Sequence, residues 1–187
     1  MKKLIGRVLK TLFLGLPLMW SLSPYAYATA PDDQKLASEI LVYINQYRVQ
    51  HGQPKLVMNR ALINEATSHS EDMARHAVPF GHDGFGQRIE HLHERIPASL
   101  SGAENVAYNY KTAKIVVDGW INSPGHRQNL MGHYNLTGIG IARDSSGKPY
   151  YTQLFLRAND TPVMARAVVV HGHNNRQHGH GFFGTWG

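Results

Sequence analysis

Apolar residues recur every three or four positions over residues 33–51, a spacing that predicts an amphipathic helix. The stripe consists of Leu36, Ile40, Tyr43, Ile44 and Tyr47. Gly52 suits the left-handed position that follows a helix C-terminus, and Pro54 opposes continuation of the helix. The pattern therefore predicts that a first helix ends near His51.

A second helical pattern begins after Asn59, whose side chain suits an N-cap. It extends to about residue 77, and its inward positions are Leu62, Ile63, Ala66 and Met73. His69 on this helix is expected at the surface or partly buried. The stretch Pro79-Phe80-Gly81 interrupts the pattern, and we expect His82 to follow in a loop.

Two further helices are predicted on either side of a loop. The first covers residues 85–95, and the second covers residues 112–122. Between them, the small residues 98–102 predict a loop that leads into Glu104. The second of these helices is expected to bury Ile115, Val116 and Trp120.

Ser123 and Pro124 are typical of a helix start. The serine hydroxyl can cap free N–H groups, and proline fits the first helical position. His126 then falls in the first turn of a short fifth helix, which Gly132 closes.

After residue 135 the pattern changes from helical to alternating. Residues 136–143 and 150–156 flank the turn sequence Asp144-Ser145-Ser146-Gly147, which is typical of a β-hairpin. Helices that surround short strands predict an α+β fold. The expected arrangement is a three-layer α-β-α sandwich with a short antiparallel sheet.

The first 28 residues have the organisation of a secretory signal. Lys2 and Lys3 precede an apolar run over residues 12–22, and Ala26-Tyr27-Ala28 fits the small-x-small cleavage pattern. The run is shorter than the roughly 20 residues that a membrane span needs. We therefore expect an exported protein, periplasmic or extracellular, with no transmembrane segment after cleavage. A retained N-terminal anchor is the alternative.

Removal of this segment changes the interpretation of the charge. The chain of 187 residues has a formal charge of +6, and the segment contributes four basic residues, Lys2, Lys3, Arg7 and Lys10, so that +2 remains. This small charge gives no reason to expect a nucleic-acid partner. The chain has no cysteine. A domain over residues 33–160 is large enough to form a core without disulfides.

The C-terminal segment 161–187 is rich in histidine and glycine. Its composition cannot bury enough apolar surface to order the chain, so we expect a mobile extension. Two His-x-His pairs are candidate ligands for zinc, copper or nickel: His171 with His173, and His178 with His180. A pH-responsive tail without metal is the alternative.

Four motifs in a fixed order carry a resemblance to a known family. They are His82, Ala103-Glu104-Asn105, the run from Trp120 through Ser123-Pro124-Gly125-His126-Arg127, and Thr137-Gly138-Ile139-Gly140-Ile141-Ala142. In this order they resemble the CAP superfamily of cysteine-rich secretory, antigen-five and pathogenesis-related proteins. The resemblance extends from about residue 33 to residue 156. Because the chain has no cysteine, it resembles the cysteine-free bacterial branch of the family.

The resemblance implies a CAP-type sandwich with a central cavity lined by two histidines and, in many members, two acidic residues. His82, Glu104 and His126 match three of these positions. Ser123 stands at the usual second acidic position, so the implied set has two histidines and one carboxylate. Asn105 follows the glutamate and is expected to bond to the backbone and hold this loop.

Two kinds of chemistry suit these three side chains. Imidazole and carboxylate bind zinc or another divalent metal, and three protein ligands plus water form an open, catalytic-type site. Without metal, the same groups form a hydrogen-bonded cluster that orients a cavity wall. A serine hydrolase with Ser101 or Ser123 lacks the Gly-x-Ser-x-Gly elbow.

The resemblance implies the fold more specifically than the function. Activities suggested across the family include lipid or sterol binding, antimicrobial action and proteolysis. We expect a binding module and not an enzyme, with a small lipid, a glycan or an envelope protein as ligand of the central cleft. The alternative is a metal-dependent hydrolase that uses His82, Glu104 and His126.

Overall fold

The structure is a computed structural model that describes residues 31–159. Its elements, in chain order, are α1 (Pro31–Gln50), β1 (Val57–Met58), α2 (Arg60–Ala74), α3 (Phe85–Arg95), β2 (Ser99–Tyr108), α4 (Ala113–Asn122), α5 (Pro124–Leu130), β3 (Leu136–Arg143) and β4 (Pro149–Ala158). The predicted α+β class is confirmed. The predicted signal segment and the histidine-rich tail lie outside the described residues. Within residues 31–159, no helix has both the length and the apolar character to cross a bilayer.

One sheet contains the four strands in the order β1-β3-β4-β2. The predicted hairpin is formed by β3 and β4, in which Arg143 pairs with Pro149. Strands β2 and β4 are also antiparallel. The two-residue β1 adds a parallel pair with β3, which the alternation pattern did not indicate. Strand β2 is an edge strand of this mixed sheet.

Helices cover both faces of the sheet. Successive side chains of β4 point to opposite faces, and one face packs Leu154 and Leu156 against Leu62 of α2 and Leu92 of α3. The other face carries Tyr151 and Phe155 and packs against α1 and α4, with the buried side chains Ile40, Ile44, Val116 and Trp120. This is the predicted three-layer α-β-α sandwich.

Local signals predicted most helix ends correctly. The Asn59 side chain accepts hydrogen bonds from the N–H groups of Ala61 and Leu62 at 2.9 and 3.4 Å. Gly52 has a φ of 77°, as a left-handed residue after α1 should. Helix α3 has the predicted bounds.

Ser123 differs from the prediction in one respect. It is the N-cap residue of α5 and Pro124 follows it in the first turn, but the hydroxyl makes no capping hydrogen bond. Ser123 also ends α4, where its N–H donates to the Trp120 carbonyl at 3.3 Å. The residue therefore serves two helix ends through its backbone.

Two other expectations were wrong because tertiary pairing decides the outcome. Residues 98–102 were expected to form a loop, yet Ser99 begins β2, since antiparallel pairing with β4 stabilises residues that have little strand propensity of their own. Ile115 was expected to be buried but is 51% exposed. The buried stripe of α4 instead contains Ala113, Val116, Val117 and Trp120.

Helix α2 approaches β3 closely at two glycines. A Cβ atom on Gly138 would lie 2.2 Å from the Leu62 carbonyl carbon, and one on Gly140 would lie 2.1 Å from the Thr67 nitrogen. Only glycine permits this contact between the two backbones. The glycines of the Thr137–Ala142 motif therefore set the distance between the helix layer and the sheet.

Candidate functional site

Glu104 is the buried centre of a polar cluster on β2. Its side chain is 1% exposed. Arg88, which also is buried, reaches it from α3 with a two-pronged contact, in which Nε donates to Oε2 and Nη2 donates to Oε1, both at 2.8 Å. Arg88 Nη1 donates to the Asp83 carbonyl at 2.7 Å. This paired, charge-assisted geometry holds the carboxylate in one orientation.

His82 contacts the same carboxylate from the loop before α3. Its Nδ1 lies 2.9 Å from Glu104 Oε1. An ionised carboxylate only accepts hydrogen bonds, so Nδ1 donates its proton to Glu104, and Nε2 is the ring nitrogen that Glu104 does not contact. The His82 side chain is 53% exposed. Glu104 therefore orients an imidazole that remains accessible.

His126 lies in the first turn of α5 and is partly buried. Burial lowers the pKa of His126, and the positive charge of a protonated His82 lowers this pKa further. The two histidines are therefore close enough to interact electrostatically. The neutral form of His126 is favoured near pH 7.

Two asparagines attach α5 to β2. Asn105 is fully buried, and its Nδ2 donates to the His126 carbonyl at 3.3 Å. Asn129 Nδ2 donates to Asn105 Oδ1 at 2.9 Å and to the Glu104 carbonyl at 3.1 Å. Asn105 thus bonds to the backbone, but it does so from a strand and across to α5. This network positions His126 beside the cleft.

An open pocket of about 360 Å³ lies at this edge of the sheet. Its lining consists of His82, Phe85, Gly102, Ala103, Glu104, Asn129 and Tyr134. His126 is not part of this lining and is connected to it through Asn105 and Asn129. Polar groups that fix a ligand's orientation therefore lie beside two aromatic rings.

The residues of the cluster do not fit a three-ligand metal site in this arrangement. Both carboxylate oxygens of Glu104 already accept hydrogen bonds from Arg88, and one also accepts from His82. Within residues 31–159, no group of three or more histidine, aspartate or glutamate side chains is arranged to hold a metal ion. The metal site at His82, Glu104 and His126 stays a prediction, as does that of the tail histidines.

Several residues that line the cleft or support its walls were not identified from the sequence. Arg88 is the most important, and its signal was available because it falls on the apolar stripe of α3 between Phe85 and Leu92. Arg48 in α1 follows Ile40 and Ile44 at four-residue steps and is fully buried. A charged residue at a stripe position indicates a buried polar contact. Tyr134 lies in a connection, where no comparable pattern exists.

The fold is an α-β-α sandwich, with helices on both faces of a small mixed sheet. A polar cleft with an oriented histidine–carboxylate pair lies at the edge of this sheet. Residues 41–155 match the family described as "CAP: Cysteine-rich secretory protein family". The chain belongs to this family, as its motifs predicted.

Two proteins of Bacillus subtilis (strain 168) are similar in sequence. The chain is 36% identical over 122 residues to the membrane protein YlbC, and the match covers 64% of this chain and 34% of YlbC. It is 29% identical over 120 residues to YkwD, and the match covers 63% of this chain and 46% of YkwD. This chain therefore matches less than half the length of either relative.

Solved structures share the fold. An extracellular protein with an SCP domain from Bacillus anthracis has a TM-score of 0.56 and 26% identity, and the match covers 70% of this chain and 44% of that one. An outer surface protein from Borrelia burgdorferi has a TM-score of 0.59 and 18% identity, and the match covers 69% of this chain and 95% of that one. At this lower identity the second likeness shows the fold alone.

Proposed function

We propose that this CAP-domain protein is exported and acts mainly as a binding module, with its ligand in the cleft beside His82, Glu104 and His126. The ligand class is a small lipid, a glycan or an envelope protein. The single observation that carries the proposal is the engagement of Glu104, whose two oxygens hold Arg88 and His82. A carboxylate in this state orients its two neighbours, which suits a positioning role.

The remaining groups suit recognition. His82 offers Nε2, and His126 is favoured in its neutral form, so both rings can form hydrogen bonds with a polar group of a ligand. Phe85 and Tyr134 provide apolar surface in the same pocket. A ligand with both polar and apolar parts matches this combination.

Export is supported by the predicted signal segment and by one similar structure, from Bacillus anthracis, which is described as an extracellular protein. The B. subtilis relative YlbC is described as a membrane protein, which is compatible with a retained N-terminal anchor.

A metal-dependent hydrolase is less well supported. Its mechanism requires protein ligands that leave an open position for water. Coordination of zinc by Glu104 itself would add a further partner to a carboxylate that already accepts three hydrogen bonds from Arg88 and His82. The binding module requires no such addition.

Imidazole NMR spectra test the proposal directly. We would label histidine with ¹³C in a chain whose four tail histidines, His171, His173, His178 and His180, are replaced by glutamine. Three probes are titrated separately: chitotetraose, vesicles of phosphatidylglycerol and phosphatidylethanolamine, and Zn²⁺.

We expect saturable shifts of the His82 and His126 resonances with chitotetraose or vesicles in the presence of a chelator. The shifts should disappear in His82→Ala and persist in His51→Ala, which removes an exposed histidine at the end of α1. Stoichiometric Zn²⁺ binding that both His82→Ala and His126→Ala abolish would instead favour the hydrolase. Failure of chitotetraose, of vesicles and of acetylated hexapeptide amides to shift either ring would contradict the binding role.

A further inference from the structure

The backbone N–H and C=O groups of successive residues in β2 point alternately toward β4 and toward the open edge of the sheet. Asn109, directly after the strand, donates its N–H to the Pro149 carbonyl of β4 at 2.8 Å. In an antiparallel pair the residues alternate between those that bond to the partner and those that do not. From residue 101 onward, odd-numbered residues of β2 therefore bond to β4, and even-numbered residues direct N–H and C=O toward the open edge of the sheet.

Side chains from two helices cover one part of this edge. Asn129 of α5 donates to the outward carbonyl of Glu104 at 3.1 Å. Trp120 of α4 donates through Nε1 to the carbonyl of Val106 at 3.2 Å. These bonds end at Glu104 and do not extend toward the start of the strand.

The part of the β2 edge from Gly102 to the N–H of Glu104 lies in the cleft. No residue in the described range 31–159 bonds to the outward N–H and C=O of Gly102 or to the N–H of Glu104. Gly102, Ala103 and Glu104 all line the open pocket. Unpaired strand edges are pairing sites for another extended chain, and folded proteins usually cover them.

We infer that the cleft binds an extended peptide, which adds a strand to the free edge of β2 at Gly102 and Glu104. This inference rests on the proposed binding function and specifies its ligand class. An extended peptide presents N–H and C=O groups to one side at every second residue, about 6.8 Å apart, which matches the outward groups of β2. A glycan or an acyl chain has no such repeat.

The side chains that flank the edge fit the same geometry. Phe85 packs with the α2–α3 face of the sheet, and Tyr134 lies on the other face, where its ring centre is 5.4 Å from that of Phe155. Alternate side chains of an added strand project to opposite faces. One set therefore meets Phe85 and the other meets Tyr134.

The covered part of the edge limits the length of the paired segment. Asn129 closes the edge at the Glu104 carbonyl, and pairing of β2 with β4 becomes irregular between Ser99 and Ser101. Only about three main-chain hydrogen bonds are available, so the side-chain contacts decide which peptides bind.

The first test uses backbone amide NMR on the full chain with a positional-scanning library of acetylated hexapeptide amides. Selected peptides should shift the Gly102 and Glu104 amides and slow their hydrogen exchange. The amides of Ala103 and Asn105, which bond to β4, serve as internal controls. Absence of any binding peptide, or binding that leaves Gly102 and Glu104 unaffected, would overturn the inference.

A matched pair of variants tests the Gly102 N–H. A Cβ atom at Gly102 would lie 2.4 Å from Ile89 Cδ1, so both variants carry Ile89→Ala to provide space. Gly102→Ala keeps the N–H and should bind the selected peptide, whereas Gly102→Pro removes it and should bind about tenfold more weakly. Equal affinities in two folded variants would contradict strand addition.

N-methylation of the peptide provides a test that does not depend on folding of the variants. Only every second amide of an added strand faces β2. Methylation of these amides should abolish binding, whereas methylation of the alternate amides should be tolerated. A scan without this period of two would refute the pairing.

Two further outcomes separate the hypotheses. If deletion of residues 161–187 exposes Gly102 and Glu104 amides that were protected before, the chain's own tail occupies the edge and the inference of a partner peptide fails. If chitotetraose or vesicles shift His82 and His126 but no peptide shifts Gly102, the proposed binding function stands and strand addition fails.

Discussion

Arg88 is the charged partner of the buried Glu104 carboxylate. The Arg88→Ala change leaves the carboxylate without its two-pronged partner, and loss of one member of a buried pair costs about 3–5 kcal/mol. We therefore expect the free energy of unfolding to fall by about this amount. Urea denaturation followed by circular dichroism measures the change.

Arg95→Ala is the matched control on the same helix. Arg95 pairs with Glu65 at 3.2 Å, but its side chain is 54% exposed. Exposed pairs contribute about 0–1 kcal/mol, so the control should change stability little. Equal effects of the two substitutions would show that Arg88 does not stabilise Glu104 as described.

Arg48 is fully buried and bonds to four backbone carbonyls, and no carboxylate among residues 31–159 pairs with it. It donates to the carbonyls of Pro54, Leu130, Gly132 and Tyr134 at 2.6–3.1 Å. Arg48→Met fills similar space but removes the donor to the carbonyls of Pro54, Leu130 and Tyr134, whereas the Gly132 carbonyl still accepts from the Tyr134 N–H. Each buried group left unpaired costs about 1–3 kcal/mol. We expect a loss of more than about 3 kcal/mol in the free energy of unfolding.

Two variants distinguish this role from a general effect of charge. Arg48→Lys keeps the charge but lacks the planar fork, so it should restore only part of the stability. Arg127→Ala removes an exposed arginine that makes one bond, to the Ile121 carbonyl, and should change urea midpoints little. Full rescue by lysine would contradict the importance of the fork.

At the scale of elements, the contact between α2 and β3 requires glycine. Gly140→Ala places a methyl group 2.1 Å from the Thr67 nitrogen, so α2 must move away from the sheet. Displacement of a packed helix should lower the free energy of unfolding by more than about 3 kcal/mol, at or beyond the upper end of ordinary overpacking costs. Thermal denaturation measures the loss.

Gly86→Ala is the control for this substitution. No atom lies within 4 Å of a Cβ at Gly86, which lies in α3. Alanine favours a helix over glycine by up to about 1 kcal/mol, so this variant should be as stable as the parent or slightly more stable. Destabilisation of both variants to the same extent would argue against the close contact at Gly140.

Elements with local signals were predicted well, and those that depend on distant partners were not. Asn59 caps its helix through bonds to neighbouring residues, and Gly147 in the β3–β4 turn has a φ of 79°, so short sequences determine both. Strand β2 exists because β4 pairs with it. The predicted loop at residues 98–102 was wrong for this reason.

The same distinction applies to the cleft. The family resemblance identified His82, Glu104 and His126 as residues of the central cavity, and His82 does contact Glu104. It did not identify Arg88, whose role depends on how α3 packs against β2. The state of the carboxylate follows from this tertiary contact, so sequence motifs alone left the metal and hydrogen-bonded alternatives equally open.

For the whole molecule, the buried His69 predicts how stability depends on pH. Its side chain donates through Nε2 to the Gly81 carbonyl at 2.9 Å. Burial is the main cause that lowers the pKa of His69, and Arg88 also lowers it, while the Gly81 bond, Glu104 and Asp72 oppose this shift. The unfolded chain therefore binds a proton more readily than the folded protein. Stability is complete above about pH 6.5 and is lost as pH falls toward the lower folded pKa.

We expect the free energy of unfolding to decrease between pH 7 and pH 5, with a slope of at most about 1.4 kcal/mol per pH unit for each such histidine. His126 contributes in the same direction, since its pKa is also lowered. His69→Gln keeps a side-chain donor for Gly81 but cannot titrate, so its slope should be smaller. Identical slopes in urea titrations of the two proteins would contradict the assignment.

The order of strands in the sheet has a consequence for when the chain folds. Within residues 31–159, strand β1 pairs only with β3, and β2 pairs only with β4, so the first two strands find their partners in residues 136–158. Arg48 likewise bonds to carbonyls 82–86 residues later in the chain. During synthesis, residues 31–135 have no sheet to join until the last hairpin leaves the ribosome. Such a delay suits the export that we propose, and it makes formation of the β3–β4 hairpin the step on which folding of the sheet depends.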